Sequence, residues 1–86
     1  MTTHELKCWQ PFFNDIKSGL KTFEIRYNDR NYQVGDYLIL NEYNPKTEIY
    51  GDSIKCEITW ILTDPNFVSL LKEGYIVMSI KVVEDV

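Results

Sequence analysis

The pattern of apolar and polar residues along the chain predicts five β-strands. The clearest alternation covers residues 53–62, where every second residue is apolar, as expected of a strand with one buried face. Similar patterns predict strands over residues 4–9, 22–27 and 75–83, whereas residues 37–43 are apolar on both faces, as expected of a strand buried within a barrel. Apolar residues spaced three or four apart predict short helices over residues 11–18 and 65–73.

The order of these elements predicts an α+β fold. Five strands and two short helices favour a small mixed sheet that curls into a barrel, because closing the sheet hides its edges. Pro11 suits the first turn of the first helix, and Gly19 suits its left-handed C-terminal position. Asp64 is expected to cap the second helix. Residues 1–86 form a single domain, because half of this chain could not bury a core.

The strand at residues 22–27 carries the candidate site. Its core face is expected to hold Phe23, Ile25 and Tyr27. Its other face holds Thr22, Glu24 and Arg26, and Lys21 reaches the same face from the preceding turn. Beyond the strand, two interpretations of Asn28, Asp29 and Arg30 stay open. Asp29 caps a turn that Arg30 holds by a salt bridge, or the loop forms a rim that recognises a ligand.

Composition narrows the classes of partner. The chain is 44% hydrophobic, which indicates a compact core rather than disorder. Its net charge of −4 argues against broad attraction to nucleic acid, which needs many cationic side chains over the phosphates. However, residues 1–30 carry a net charge of +1, whereas residues 31–86 carry −5. An anionic partner is therefore expected to bind a surface built by the N-terminal third.

Cysteine and histidine are too few for a metal site. Cys8 and Cys56 lie in strand-like apolar segments and are expected to be reduced, buried thiols. His4 is the sole histidine, is expected at the surface of a strand end, and rules out an imidazole metal site or a histidine triad. No cofactor is expected. The sequence has no apolar run near 18 residues and no signal peptide, which predicts a cytoplasmic protein without a membrane partner.

The segment Gly19-x-Lys21-x-x-Glu24-x-Arg26 resembles the GxKxxExR signature of ASCH domains, a branch of the PUA-like superfamily. The runs at residues 4–7, 23–30, 34–36 and 72–75 resemble a family of short uncharacterised bacterial and phage proteins of this class. The resemblance covers essentially the whole chain. It implies a PUA-like pseudo-barrel and a cleft between the barrel and the first helix, lined by Lys21, Glu24 and Arg26.

The resemblance also implies a function. ASCH clefts are generally inferred to bind RNA or a nucleotide-like ligand, whereas some ASCH proteins are amidohydrolases that act on acylated cytidines. Those enzymes use a lysine, a threonine nucleophile and a downstream glutamate. Lys21 matches the lysine and would be the catalytic residue of an enzyme, but Glu24 stands where the threonine is expected. The resemblance therefore favours binding over hydrolysis of an acylated nucleoside.

The residue types themselves suit a nucleotide. A guanidinium grips phosphate through two parallel hydrogen bonds, an ammonium adds a mobile charge, and a carboxylate accepts from an exocyclic base amine. Trp9, Tyr27 or Tyr43 could supply a stacking face, and Trp9 shares its strand face with Lys7. The predicted RNA- or ligand-binding residues are Lys7, Trp9, Lys21, Glu24, Arg26, Asn28 and Arg30.

Two alternatives need no such cleft. Glu24 and Arg26 could simply pair on an exposed face, for about 0–1 kcal/mol. The chain could also be a protein-interaction or phage accessory module, which an exposed apolar patch away from the cleft would favour. In every interpretation the chain is expected to be a monomer by default. Most of its other aromatic residues are expected in the core: Phe12, Phe13, Tyr37, Trp60 and Phe67.

Overall fold

The fold is a five-stranded mixed sheet with two short helices. A computed structural model describes residues 1–85 of the chain. Over these residues the elements are β1 (Thr3–Trp9), α1 (Gln10–Lys17), β2 (Phe23–Tyr27), β3 (Tyr37–Asn44), β4 (Ile49–Ile61), α2 (Pro65–Val68) and β5 (Tyr75–Asp85). The spatial order is β1-β3-β4-β5-β2, with β1 and β3 parallel and the other neighbours antiparallel. The sheet curls into a half-barrel, which confirms the predicted α+β class.

The core lies on the concave face of the sheet. Alternate residues of β3 and β4 point inward, as the two-residue period of a strand requires. Phe13 and Ile16 of α1 complete the core from one side. The fully buried side chains on the strands are Leu38, Leu40, Ile54, Cys56, Ile58 and Met78.

The two edge strands, β1 and β2, meet across a seam. They lie at opposite ends of the strand order, yet Arg26 of β2 donates from Nη2 to the carbonyl oxygen of Lys7 in β1 at 2.7 Å. The chain passes from β1 to β2 through α1, which ends before Gly19. Gly19 adopts the predicted left-handed conformation, with φ of 85°. The seam and α1 together position the candidate site.

The orientation predicted for β2 is wrong. Glu24 is buried, with 5% of its surface exposed, whereas Phe23, Ile25 and Tyr27 are 43%, 51% and 56% exposed. Alternation correctly grouped the residues that share a face, but it cannot determine which face points inward. Glu24 pairs with Lys21 and Arg26, so the carboxylate that faces inward does not carry an unbalanced charge.

Three predicted core aromatics are exposed. A bulge in β4 between Ile58 and Trp60 shifts the register against β5 and leaves Trp60 on the outer face. Phe12 lies beside the buried stripe of α1 rather than in it. Phe67 belongs to α2, a single turn with no buried residue, so the longer helix predicted over residues 65–73 is wrong. Asp64 caps α2 as predicted, accepting from the Asn66 backbone N–H at 2.9 Å.

His4 is buried, which contradicts its predicted surface position. Its Nε2 donates to Oδ2 of Asp36 at 2.9 Å, and its ring packs edge-on against Tyr32. Backbone N–H groups of Thr2 and Gln33 also donate to the Asp36 carboxylate. Burial opposes ionisation of Asp36, but these hydrogen bonds outweigh it and hold its pKa below the usual value. The pair connects the start of β1 to the turn before β3.

Candidate functional site

The candidate site is a groove of about 450 Å³ beside the seam between β1 and β2. The end of β1 and the first turn of α1 form one wall, and β2 with the turn before it forms the other. Nine residues line it: Lys7, Cys8, Trp9, Phe12, Lys21, Phe23, Glu24, Ile25 and Arg26. All three charged residues of the GxKxxExR segment, Lys21, Glu24 and Arg26, therefore lie in one concavity.

A buried carboxylate organises the floor of the groove. Oε1 of Glu24 accepts from Lys21 Nζ at 2.7 Å, and Oε2 accepts from Arg26 Nε at 2.8 Å. The side chain of Glu24 is 7% exposed, against 18% for Lys21 and 26% for Arg26. This is not the exposed surface pair of the alternative interpretation, because both cations hold one buried anion from opposite sides.

The floor keeps an excess of positive charge and of donors. Two cations face one carboxylate, so the cluster carries a net charge of +1. Lys21 Nζ also donates to the Phe23 carbonyl oxygen at 2.7 Å, which leaves one of its three N–H donors for a ligand. Arg26 uses Nε and one Nη2 donor within the protein, which leaves three of its five. The floor is therefore suited to an anionic or acceptor-rich ligand group.

The walls of the groove are apolar and flat. Trp9, Phe12, Phe23 and Ile25 are each about half exposed at its rim. Lys21 Nζ lies 4.6 Å from the centre of the Phe23 ring and 5.7 Å from that of Phe12, so these rings also stabilise its charge. An apolar pocket with few convergent polar groups is the usual form of a small-molecule site. The arrangement suits a ligand with one flat apolar face and one anionic group.

Cys8 lines the groove but is a poor nucleophile. Burial raises its pKa to about 11, with the nearby carboxylate of Glu24 adding to the effect. The thiol therefore stays protonated at neutral pH, and a protonated thiol is unreactive. Both Cys8 and Cys56 are free and buried, as predicted.

The structure brings together five of the seven predicted binding residues and separates two. Lys7, Trp9, Lys21, Glu24 and Arg26 line the groove. By contrast, the side-chain oxygen of Asn28 accepts from the Tyr32 backbone N–H at 3.1 Å, which fixes the turn after β2.

Arg30 lies outside the groove but lines a neighbouring depression that shares Lys7 and Arg26 with it. Its Nε lies 3.8 Å from Asp29 Oδ1, consistent with the turn-holding interpretation.

Sequence reasoning missed four groove residues. It assigned Phe12, Phe23 and Ile25 to the core and expected Cys8 only as a buried thiol. A usable signal was present at β2, where Phe23, Ile25 and Tyr27 alternate with Glu24 and Arg26 and where Lys21 precedes the strand. Charged side chains that form ion pairs with one another can occupy the inner face of a strand, and the apolar residues of that strand then face outward. Two of the suggested stacking residues do not line the groove: Tyr27 packs on Tyr75, and Tyr43 lies under Lys7 Nζ.

Within residues 1–85, no group of three or more potential metal-ligating side chains comes together. No helix in this part of the chain has the length and apolar character needed to cross a membrane.

Comparison with known proteins identifies the family. Residues 3–80 match the family described as Domain of unknown function (DUF3850). The chain belongs to the DUF3850 family. The DUF3850 match includes every groove residue and most of the sheet, from β1 into β5.

A phage protein also resembles this DUF3850 chain. This chain is 45% identical over 40 residues to an uncharacterised 12.9 kDa protein in the GpA 3′ region of Escherichia phage P2. The aligned stretch covers 46% of this chain and 37% of the phage protein. The finding supports the predicted relationship to short uncharacterised phage and bacterial proteins.

Proposed function

We propose that this DUF3850 chain is a PUA-like module of the ASCH type that binds RNA or a nucleotide in the groove between β1, α1 and β2. One observation carries the proposal. Lys21, Glu24 and Arg26, the charged residues of the GxKxxExR segment, converge on the floor of a groove with aromatic walls. A curled five-stranded sheet with α1 beside the groove agrees with the expected PUA-like architecture.

The groove matches the two chemical parts of a nucleotide. A base can pack on Trp9 and Phe23, and stacking of this kind contributes about 1–3 kcal/mol per base. The phosphate then meets the remaining donors of Lys21 and Arg26. Glu24 holds both cations in place, and the further lone pairs of its oxygens can accept from an exocyclic amine.

The groove chemistry favours binding without turnover. Hydrolysis of an acylated nucleoside needs an activated nucleophile, but the Cys8 thiol stays protonated. Thr22 is exposed and lines a different depression, which Lys21 also borders, so it lies outside the groove that holds Glu24 and Arg26. Lys21, the candidate catalytic residue, is engaged by Glu24 and by the Phe23 carbonyl oxygen. The proposed role of Lys21 is therefore ligand binding.

Calorimetric titration with the four 5′-mononucleotides and with short single-stranded RNAs tests this proposal. Lys21→Met should weaken binding at least about tenfold, which corresponds to about 1.4 kcal/mol. Lys46→Met is the matched control, because it removes the same charge from the exposed β3–β4 turn and should leave affinity unchanged. Equal loss in both variants would indicate general charge attraction, and no binding to the wild type would refute the proposal.

One observation favours a protein-interaction module as the second candidate. Trp60 and Phe23 flank Ser79 across β5, and Tyr27 pairs with Tyr75 farther along the same outer face. Trp60 and Tyr27 are more than half exposed and do not line the groove. Light scattering on the wild type and on Trp60→Ser tests this function. Self-association that Trp60→Ser removes, without nucleotide binding, would favour it over the first proposal.

A further inference from the structure

A second depression adjoins the groove across the seam. Its volume is about 490 Å³, and it shares Lys7 and Arg26 with the groove. Its other polar residues are Glu5 of β1, Arg30 after β2, Asn41 of β3 and Tyr50 of β4. The two concavities are therefore neighbours, and the two cationic residues that line both form the boundary between them.

We propose that this depression is a second nucleotide subsite, so that the ligand is a single-stranded nucleic acid segment of at least two nucleotides. The inference rests on the proposed function, because it assigns the first nucleotide to the groove. Beyond the proposed function, the inference specifies that the ligand is single-stranded and at least two nucleotides long. A base can contact the apolar groove walls only when it is unstacked and unpaired, which a duplex does not permit.

The boundary residues are placed for a phosphate that links two nucleotides. Glu24 and the Lys7 carbonyl oxygen fix the guanidinium of Arg26, which lines both concavities and keeps three N–H donors for a ligand. The ammonium of Lys7 lies 4.5 Å from the centre of the Tyr43 ring and lines both concavities. A pre-positioned guanidinium beside a mobile ammonium is an effective phosphate site.

The second depression contains its own stacking surface. Tyr50 is 52% exposed, and its ring packs against Tyr43 with 4.9 Å between the ring centres. This contact restricts the Tyr50 ring, so that stacking a base on it costs little side-chain entropy. Tyr50 is therefore suited to stack against the second base, as Trp9 is suited to stack against the first.

The charge of the depression also favours an anionic backbone. Lys7, Arg26 and Arg30 line it with one carboxylate, that of Glu5. Arg26 also pairs with Glu24, and Arg30 lies beside Asp29, so the two concavities with these partners hold four cations (Lys7, Lys21, Arg26, Arg30) against three carboxylates, a net charge of +1. Asn41 Nδ2 donates to Glu5 Oε1 at 3.3 Å, which directs that carboxylate toward β3. In a chain of net charge −4, such local excess supports a short binding track rather than a broad nucleic-acid surface.

Titration with mononucleotides and tetranucleotides at one salt concentration tests the inference. The probes are the 5′-mononucleotides and the single-stranded oligomers tetraadenylate, tetracytidylate and tetrauridylate. The best tetranucleotide should bind wild-type protein at least about tenfold more tightly than its mononucleotide. Tyr50→Ala and Arg30→Met should each remove most of this gain, while mononucleotide affinity stays within about twofold of wild type.

Controls separate the two levels of the proposal. Tyr50 and Arg30 are both exposed, so the two variants should fold, and urea unfolding checks that they do. Lys46→Met, which removes an exposed charge elsewhere, is the control for lost charge. Equal affinity for mononucleotides and tetranucleotides, or a gain that survives both substitutions, would overturn the second subsite while the groove proposal stands. Absence of binding to every probe would overturn both.

Discussion

Arg26 donates from Nη2 to the carbonyl oxygen of Lys7, and this 2.7 Å hydrogen bond connects the two edge strands of the sheet. The same guanidinium binds Glu24 through Nε at 2.8 Å. Arg26 thus has a structural role at the seam and a predicted role in the groove. The two roles are linked, because the bond to Lys7 fixes the position of a guanidinium that lines both concavities.

Arg26→Lys should weaken the seam. A lysine keeps the charge but lacks the planar fork that reaches Glu24 and the Lys7 carbonyl oxygen together. Loss of one charge-assisted hydrogen bond should lower the free energy of unfolding by about 1.5 kcal/mol, measured by urea denaturation. Amide hydrogen exchange should also accelerate in β2, the strand that the bond holds. Arg30→Lys, outside the seam, is the control, and equal effects of the two substitutions would contradict this role.

Glu24→Gln should destabilise the protein more than most carboxylate substitutions. The change leaves Lys21 and Arg26 beside each other without the buried anion that both contact. Breaking such a pair should lower the free energy of unfolding by about 3 kcal/mol. Glu73→Gln, at an exposed position, should change it by no more than about 0.5 kcal/mol. Urea denaturation of both variants measures the difference, and similar small losses would show that Glu24 does not organise the floor.

Two isoleucines test the orientation of β2. Ile58 is fully buried, whereas Ile25 is half exposed on β2. Ile58→Ala should lower the free energy of unfolding by about 2–5 kcal/mol, because it leaves a cavity in the core. Ile25→Ala should lower it by about 1 kcal/mol, because part of that side chain already contacts water. Equal large losses would instead support the inward-facing Ile25 that the sequence analysis expected.

Much of the fold could be predicted from the pattern of residues, and the failures have a common origin. Strand positions followed from the two-residue period, which is a local property of the chain. The outward turn of Trp60 depends on a bulge, and the outward face of β2 depends on the ion pairs of Glu24. The buried His4–Asp36 pair joins residues 32 positions apart. The bulge and the His4–Asp36 pair depend on contacts between distant segments, and the Glu24 ion pairs depend on side-chain geometry; periodicity contains neither.

The candidate site divides in the same way. The GxKxxExR segment located Lys21, Glu24 and Arg26, because one short turn and one strand place all three. Apolar walls were not predicted, because Phe12 and Phe23 have patterns typical of core residues. The function of the groove stays a prediction that ligand titration must test.

Asp36 predicts a specific loss of stability in acid. Burial opposes its ionisation, but hydrogen bonds from His4 and from two backbone N–H groups lower its pKa below the usual 3.8. A carboxyl group with a lower pKa in the folded state stabilises the fold above about pH 3.8. That stabilisation is lost as the pH falls through the folded-state pKa.

Urea midpoints measured for wild type and Asp36→Asn between about pH 7 and pH 2 test this linkage. The variant should be less stable at neutral pH, and the difference should shrink as the pH falls below about 3.8. A difference that stays constant across this range would contradict the linkage.

The two tryptophans allow the most direct test of the nucleotide-binding groove. Trp9 lines the groove, whereas Trp60 lies on the outer face of β4, and the two are 55% and 52% exposed. A nitrogen–proton NMR titration with short single-stranded RNA follows both indole N–H signals in one sample. Binding in the groove predicts a saturable shift of the Trp9 signal, lost in Lys21→Met, with the Trp60 signal unchanged. A shift of Trp60 alone, or no shift of either signal at low salt, would contradict the proposed function.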